Sequence, residues 1–164
     1  MNNEQLYRDR KVVEKYISKR TRVRQLNNPE KSLIDHYHLW NKDILVLGSG
    51  AGRVPSNLLL FGNKVTAIEL SSELHEAALA DYPPELFGNL KLLNGDARDL
   101  GCVQDASFDC VLFPMNGIDL APTLEDREII LREMYKKLRG GGSCLHKPQH
   151  NRICFFTKDF AHEP

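Results

Sequence analysis

The chain has 164 residues, of which 41% are hydrophobic and 27% charged, values that suit one packed domain and exclude a disordered polar chain. The formal net charge is zero, so no basic excess marks a surface for nucleic acid or for an anionic membrane. The first residues, Met1 to Gln5, are polar, and no apolar run approaches the ~20 residues that span a bilayer, so a cytoplasmic protein is the expectation.

Along the chain, residues 4–25 carry spaced apolar positions (Leu6, Val12, Val13, Tyr16, Ile17, Val23) among many Lys and Arg. This predicts an amphipathic helix whose basic side is either solvated or turned to a substrate. Asn27-Asn28-Pro29 interrupts the pattern, and a second helix is expected from Glu30 to about Trp40. Residues 1–40 thus read as an amino-terminal helical extension, and residues 41–164 as the main domain.

The main domain opens with Asp43-Ile44-Leu45-Val46-Leu47, a short apolar run that fits a strand buried on both faces. Val54 to Phe61 predicts a helix with Gly62 as its C-cap, and Lys64 to Leu70 a second strand. Ser71 or Ser72 can cap a helix running to about Asp81, where Tyr82-Pro83-Pro84 stops it. Leu90 to Leu93 and Phe108 to Phe113 are the third and fourth strands. Glu125 to Leu138 predicts a helix closed by Gly140-Gly141-Gly142, with a fifth strand from Ser143 to His146. Such alternation implies an α/β fold: a doubly wound, mostly parallel sheet of order 3-2-1-4-5, with ligand bound at the carboxyl ends of its strands. Residues 152–156 can add one edge strand beside the fifth.

Cys102, Cys110, Cys144 and Cys154 form no CxxC pair and no zinc-spaced group with histidine, so they read as small buried hydrophobes in a reducing compartment, and no metal site is expected.

The segment Gly48-Ser49-Gly50-Ala51-Gly52 lies between a buried strand and a helix. Glycines there permit a tight turn and let a ligand lie against the backbone, next to the unpaired N–H groups of a helix start. The dinucleotide fingerprint G-x-G-x-x-G/A would need Gly or Ala at position 53, where the chain has Arg53, so a nicotinamide dinucleotide fits poorly. Glu69 closes the second strand beside this loop, where a carboxylate can accept from two vicinal ribose hydroxyls. Asp96, just past the third strand, can accept from an exocyclic amine, and the Ala97 N–H can face a ring nitrogen; Asp96 equally fits an Asx turn.

Leu47 to Gly52, Glu69, Gly95-Asp96-Ala97, Phe108 to Leu112 and Leu138-Arg139-Gly140-Gly141-Gly142 together resemble, in order and spacing, the successive motifs of class I (Rossmann-like) S-adenosylmethionine-dependent methyltransferases. The resemblance implies S-adenosyl-L-methionine as cofactor. Gly48, Ser49, Gly50 and Gly52 would hold its methionine part, Glu69 its ribose, and Asp96 with Ala97 its adenine. Phe113, with Pro114 and Met115, would lie near the transferable methyl group. Phe113-Pro114-Met115-Asn116 departs from the Asn/Asp-Pro-Pro-Tyr/Phe signature of enzymes that methylate amino groups of nucleic acid bases or glutamine, which favours a small-molecule acceptor. No catalytic base is assigned; Asp119, His146, Lys147, His150 and Asn151 lie on the expected substrate side.

Family members usually end in a further helix and an antiparallel hairpin, whereas 17 residues follow Lys147 here. That shortness implies an exposed carboxyl-terminal sheet edge bearing Ile153, Phe155 and Phe156, so that the chain is expected to form a homodimer along it, to aggregate or to have a mobile carboxyl terminus, with turnover low or absent. It also keeps open a cofactor- or partner-binding module as the alternative to an enzyme.

Overall fold

The computed structural model describes residues 11, 13–14, 25–114, 117–146 and 154–158. The helix expected over residues 4–25 lies largely outside them, as do Met115, Lys147, His150, Asn151 and Ile153 and the side chains of His146, Phe155 and Phe156.

The described chain runs α1 (Asn28–His36), β1 (Asp43–Leu47), α2 (Arg53–Leu58), a 3-10 turn (Leu59–Phe61), β2 (Lys64–Glu69), α3 (Ser72–Asp81), β3 (Leu90–Asn94) and β4 (Phe108–Phe113). A 3-10 turn (Gly117–Leu120), α4 (Leu124–Lys137), β5 (Leu138–His146) and β6 (Cys154–Thr157) complete it. The sheet has the order β3-β2-β1-β4-β5-β6. Strands β1 to β5 are parallel, and β6 returns antiparallel along β5. The five parallel strands are the doubly wound sheet of order 3-2-1-4-5 that the sequence implies.

Burial alternates along the central strand. Ile44 and Val46 face a core shared with Val54 and Leu58 of α2, Ile34 of α1, and Leu26 and Leu39. Leu45 and Leu47 face the other core, with Ile130 and Met134 of α4. Both faces are therefore covered by helix, which is why β1 reads as an unbroken apolar run.

The boundaries of α1 are set by local chemistry that differs from the expectation. Asn27 is its N-cap: the Asn27 side chain accepts from Glu30 N and the Glu30 carboxylate accepts from Asn27 N, a complete capping box. Asn27-Asn28-Pro29 therefore starts the helix as well as ending what precedes it. The helix stops at His36 rather than Trp40, because His38 (φ 50°) and Asn41 (φ 53°) take left-handed backbone.

A larger correction concerns the glycine triplet. Gly140, Gly141 and Gly142 do not close α4: Leu138 ends the helix in extended conformation and already begins β5. The triplet lies inside that strand, where pairing with β4 shifts register between Phe108 and Cys110. A Cβ at Gly142 would stand 2.9 Å from the Arg139 carbonyl oxygen and 3.1 Å from that of Phe108, so the bulge needs a residue without one. The same shift places Phe108 in the core of Val111 and Phe113, against strict alternation.

Among the described residues no helix is long and apolar enough to cross a membrane.

Candidate functional site

Gly48 follows β1, and the loop it opens is shaped by three left-handed glycines: Gly48 (φ 63°), Gly50 (φ 57°) and Gly52 (φ 84°). Their missing Cβ atoms do different work. One at Gly48 would come within 2.8 Å of the Phe113 ring, and one at Gly52 within 2.9 Å of the Tyr82 ring. At Gly50 nothing lies within 4 Å, so this glycine borders open space.

The loop amides are used more than the sequence suggests. Ser49 N donates to Ile68 O (3.2 Å), Gly52 N to Ser49 O (3.1 Å) and Gly50 N to Glu69 Oε2 (2.6 Å). The helix that follows, α2, has six residues before it tightens into a 3-10 turn, and Gly52 caps it without a side chain. Its dipole is correspondingly short. Arg53, the residue that spoils the dinucleotide fingerprint, opens α2 and grips the Glu30 carboxylate with two hydrogen bonds of 2.7 Å.

Glu69 is buried at the tip of β2, 6% exposed. Oε2 accepts from Gly50 N (2.6 Å) and Oε1 from Ser71 N (3.0 Å), so the carboxylate joins the glycine loop to the N-cap of α3. Burial pushes its pKa above the usual glutamate range, and the backbone donors Ser71, Gly50 and Leu70 oppose that shift. Asn94 steadies the same strand tip by donating to Glu69 O at 2.7 Å.

Asp96 follows β3 on the same edge and makes the Asx turn: its Oδ1 accepts from Arg98 N (2.9 Å). Arg98 also embraces the carboxylate, Nε donating to Oδ1 (3.1 Å) and Oδ2 (3.0 Å) and Nη2 to Oδ2 (2.5 Å). Partial burial pushes the Asp96 pKa up, but the Arg98 guanidinium and N–H outweigh it and hold the group below the usual aspartate range. Ala97 is half-buried and packs on the core beneath. Phe113 ends β4 with its ring wedged between Gly48 and Gly117.

Gly48, Ser49, Gly50, Gly52, Glu69, Asp96, Ala97 and Phe113 thus gather at the carboxyl ends of β1 to β4. Asp119 sits in the 3-10 turn after β4, and His146 ends β5 in register with Phe113. Three contributors were missed in the sequence. Arg98 lies two residues past Asp96, a spacing at which an Asx turn invites a side-chain contact. Gly117 and Tyr82 carry no sequence signal, because their roles are contacts made across the fold. Among the described residues no cluster of His, Cys, Asp or Glu is arranged to hold a metal ion.

A sequence model of the family described as "Methyltransferase domain" matches residues 45–146, more than half of the chain. The chain is 32% identical over 77 residues to a protein-L-isoaspartate O-methyltransferase of Methylibium petroleiphilum, covering 47% of this chain and 28% of that protein. A protein of Methanococcus maripaludis assigned to the S-adenosyl-L-methionine-dependent methyltransferases superposes with a TM-score of 0.70 at 18% identity, over 85% of this chain and 64% of the other. The glycopeptide N-methyltransferase MtfA superposes with a TM-score of 0.62 at 25% identity, over 72% of this chain and 51% of the other. An amino pentose methyltransferase from Micromonospora echinaspora, solved with S-adenosylmethionine bound, gives 0.63 at 19% identity, over 74% and 50%. The chain therefore spans less than two thirds of the length of each of these relatives. The matched segment runs from the glycine loop's own strand through all five parallel strands, and the chain belongs to the class I, Rossmann-like family of S-adenosylmethionine-dependent methyltransferases.

Proposed function

We propose that the chain binds S-adenosylmethionine along the carboxyl edge of its sheet and serves transfer of the methyl group to a small-molecule acceptor. The observation that carries this reading is the placement of Glu69. Its oxygens accept from Gly50 N and Ser71 N, with the Leu70 N–H as a third backbone donor, and an ionised carboxylate has about four acceptor positions. Acceptor capacity is therefore left for a ligand hydroxyl at the tip of β2.

The rest of the edge fits the same group. An adenosyl moiety presents hydroxyls and an exocyclic amine, all donors, and the edge presents two carboxylates, Glu69 and Asp96. Gly50, with open space where its Cβ would stand, leaves room for the methionine portion. Bound there, the sulfonium would supply an activated methyl with a good leaving group. The chain's own task is to align it with the acceptor, an effect worth ~7–11 kcal/mol in well-oriented reactions. Phe113 closes the floor of the glycine loop and keeps water from that side. The family match through all five parallel strands favours this reading over a partner-binding module. A reducing, cytoplasmic setting suits the free thiols Cys110 and Cys144, which are buried as expected, and Cys102, which is exposed against expectation. Pairing of two copies along β6 is part of the same proposal and is read by light scattering.

Thermal melting with S-adenosylhomocysteine or NAD tests the cofactor. A ligand at a hundredfold excess over its Kd stabilises the fold by ~2.7 kcal/mol. A rise with S-adenosylhomocysteine is expected; a rise with NAD alone overturns the reading. Turnover on a panel of small acceptors then tests the transfer.

A further inference from the structure

Arg98 is a charged side chain drawn into the proposed adenine-binding corner that the functional reading leaves without a task. It reaches two carboxylates. Towards Asp96 it gives the side-chain fork and its own backbone N–H. Towards α4 its Nη1 donates to Asp126 Oδ1 at 3.2 Å. Asp126 is itself fixed, since it forms a capping box with Thr123 at the start of that helix. A continuous line of contacts thus runs from the N-terminus of α4 through Asp126 and Arg98 to Asp96.

We infer that Arg98 is a positioning residue for purine selection, pinning the Asp96 carboxylate so that it reads an exocyclic amine and rejects a carbonyl oxygen at the same place. The inference rests on the functional reading above. Its physical content is the loss of rotation. A carboxylate on a half-exposed aspartate turns freely about two torsions and can swing away from a repulsive oxygen. Here Oδ1 accepts the Arg98 backbone N–H, Nε is shared between Oδ1 and Oδ2, and Oδ2 also accepts from Nη2. Three N–H groups thus occupy the carboxylate, and of its roughly four acceptor positions a single direction remains. The Asp96 and Arg98 side chains remain 33% and 30% exposed, so a ligand can reach that direction. An amine arriving there donates; a carbonyl arriving there meets a charge that cannot turn aside, which is selection by repulsion as much as by attraction.

Isothermal titration with S-adenosylhomocysteine and with S-inosylhomocysteine, in which a carbonyl oxygen replaces the amine, tests this on the full chain. The unmodified chain is expected to prefer the adenosyl compound by about tenfold or more, the size of one lost charge-assisted hydrogen bond. In Arg98→Ala that preference should fall at least about threefold, with a smaller fall in Arg98→Lys, which keeps the charge but not the fork. A lower melting temperature with the preference unchanged in both variants would make Arg98 merely structural and overturn the inference. Should Arg98→Ala not fold, Arg98→Lys decides by the same ratio. Asp96→Asn separates the two levels. If it too leaves the preference intact, Asp96 does not read the base and that part of the functional reading fails. If it abolishes the preference while both Arg98 variants retain it, the positioning role alone fails.

Discussion

Glu69 and the acids at the amino ends of the strands are held in opposite ways. At the amino ends of the strands, Arg139 Nη2 reaches Asp43 Oδ2 at 3.0 Å and Arg139 Nη1 reaches Asp109 Oδ1 at 3.1 Å, while Asp43 N donates to Asp109 Oδ2 at 2.8 Å. Arg139 also donates to the Ser107 carbonyl. These carboxylates are consumed in tying β1, β4 and β5 together. At the carboxyl ends, Glu69 is held by backbone N–H groups of the glycine loop and of the next helix cap, and its pKa is raised by burial. A carboxylate neutralised by a cation stabilises a fold. One buried against neutral donors keeps acceptor capacity at a cost in solvation, as the proposed ligand site requires.

Substitutions can break or sharpen that contrast. The largest effect is expected for Gly52→Val, which forces a β-branched residue to φ 84° and drives its Cβ against the Tyr82 ring. The two penalties together come to about 3 kcal/mol. A melting temperature lowered by about 6–12 °C and abolished S-adenosylhomocysteine binding are expected; a wild-type curve would mean the loop is not built as described. Next is Glu69→Ala, which leaves the buried Ser71 N–H without its acceptor, at about 1–3 kcal/mol, whereas the Gly50 N–H borders open space where water can replace the carboxylate. Glu69→Gln, which keeps an oxygen for one of them, should lose less, and denaturant titration of the pair reads the difference.

Acidity provides a third lever. Because the folded pKa of Glu69 is raised, the folded chain holds that proton more tightly than the unfolded one. Its contribution to stability is therefore largest at low pH and declines as pH rises from the ordinary glutamate value to the raised one. Ligand hydroxyls need the ionised form, so affinity should run the other way, weakening as pH falls through the raised value. Asp96 has the reverse sign: its lowered pKa gives stability above the ordinary aspartate value that is lost as pH falls through the folded one. A Kd for S-adenosylhomocysteine that is flat across the acidic range, and equally so in Glu69→Gln, would remove Glu69 from the site. The smallest effect is expected for Arg139→Ala. Its pairs are surface-like, with side chains 41%, 39% and 25% exposed, and such pairs are worth about 1 kcal/mol or less. Melting should shift slightly and the Kd not at all.

The contrast between the edges also marks what could be read from the sequence. Ile44 to Leu47 and Phe108 to Phe113 announce buried parallel strands by composition alone, and Glu69 and Asp96 follow as strand-end acids once the order of elements is known. Local signals were weaker. Gly140-Gly141-Gly142 looks like a helix stop, because glycine serves equally in a cap and in a bulge; only the register of Phe108 and Cys110 distinguishes them. The cap at Asn27 was legible in its pairing with Glu30, three residues on, but was masked by the following proline. Arg98, Gly117 and Tyr82 gain their roles from neighbours distant in sequence: Asp126 for the first, Phe113 for the second, Gly52 for the third. No pattern within a few residues records such contacts.

The most direct test of the account is titration calorimetry of S-adenosylhomocysteine into the unmodified chain, Glu69→Gln and Arg139→Ala side by side. Saturable binding to the unmodified chain and to Arg139→Ala, with a Kd at least about tenfold weaker in Glu69→Gln from the loss of a charge-assisted bond, is the predicted result. Absence of binding to the unmodified chain, or one Kd shared by all three proteins, would contradict it.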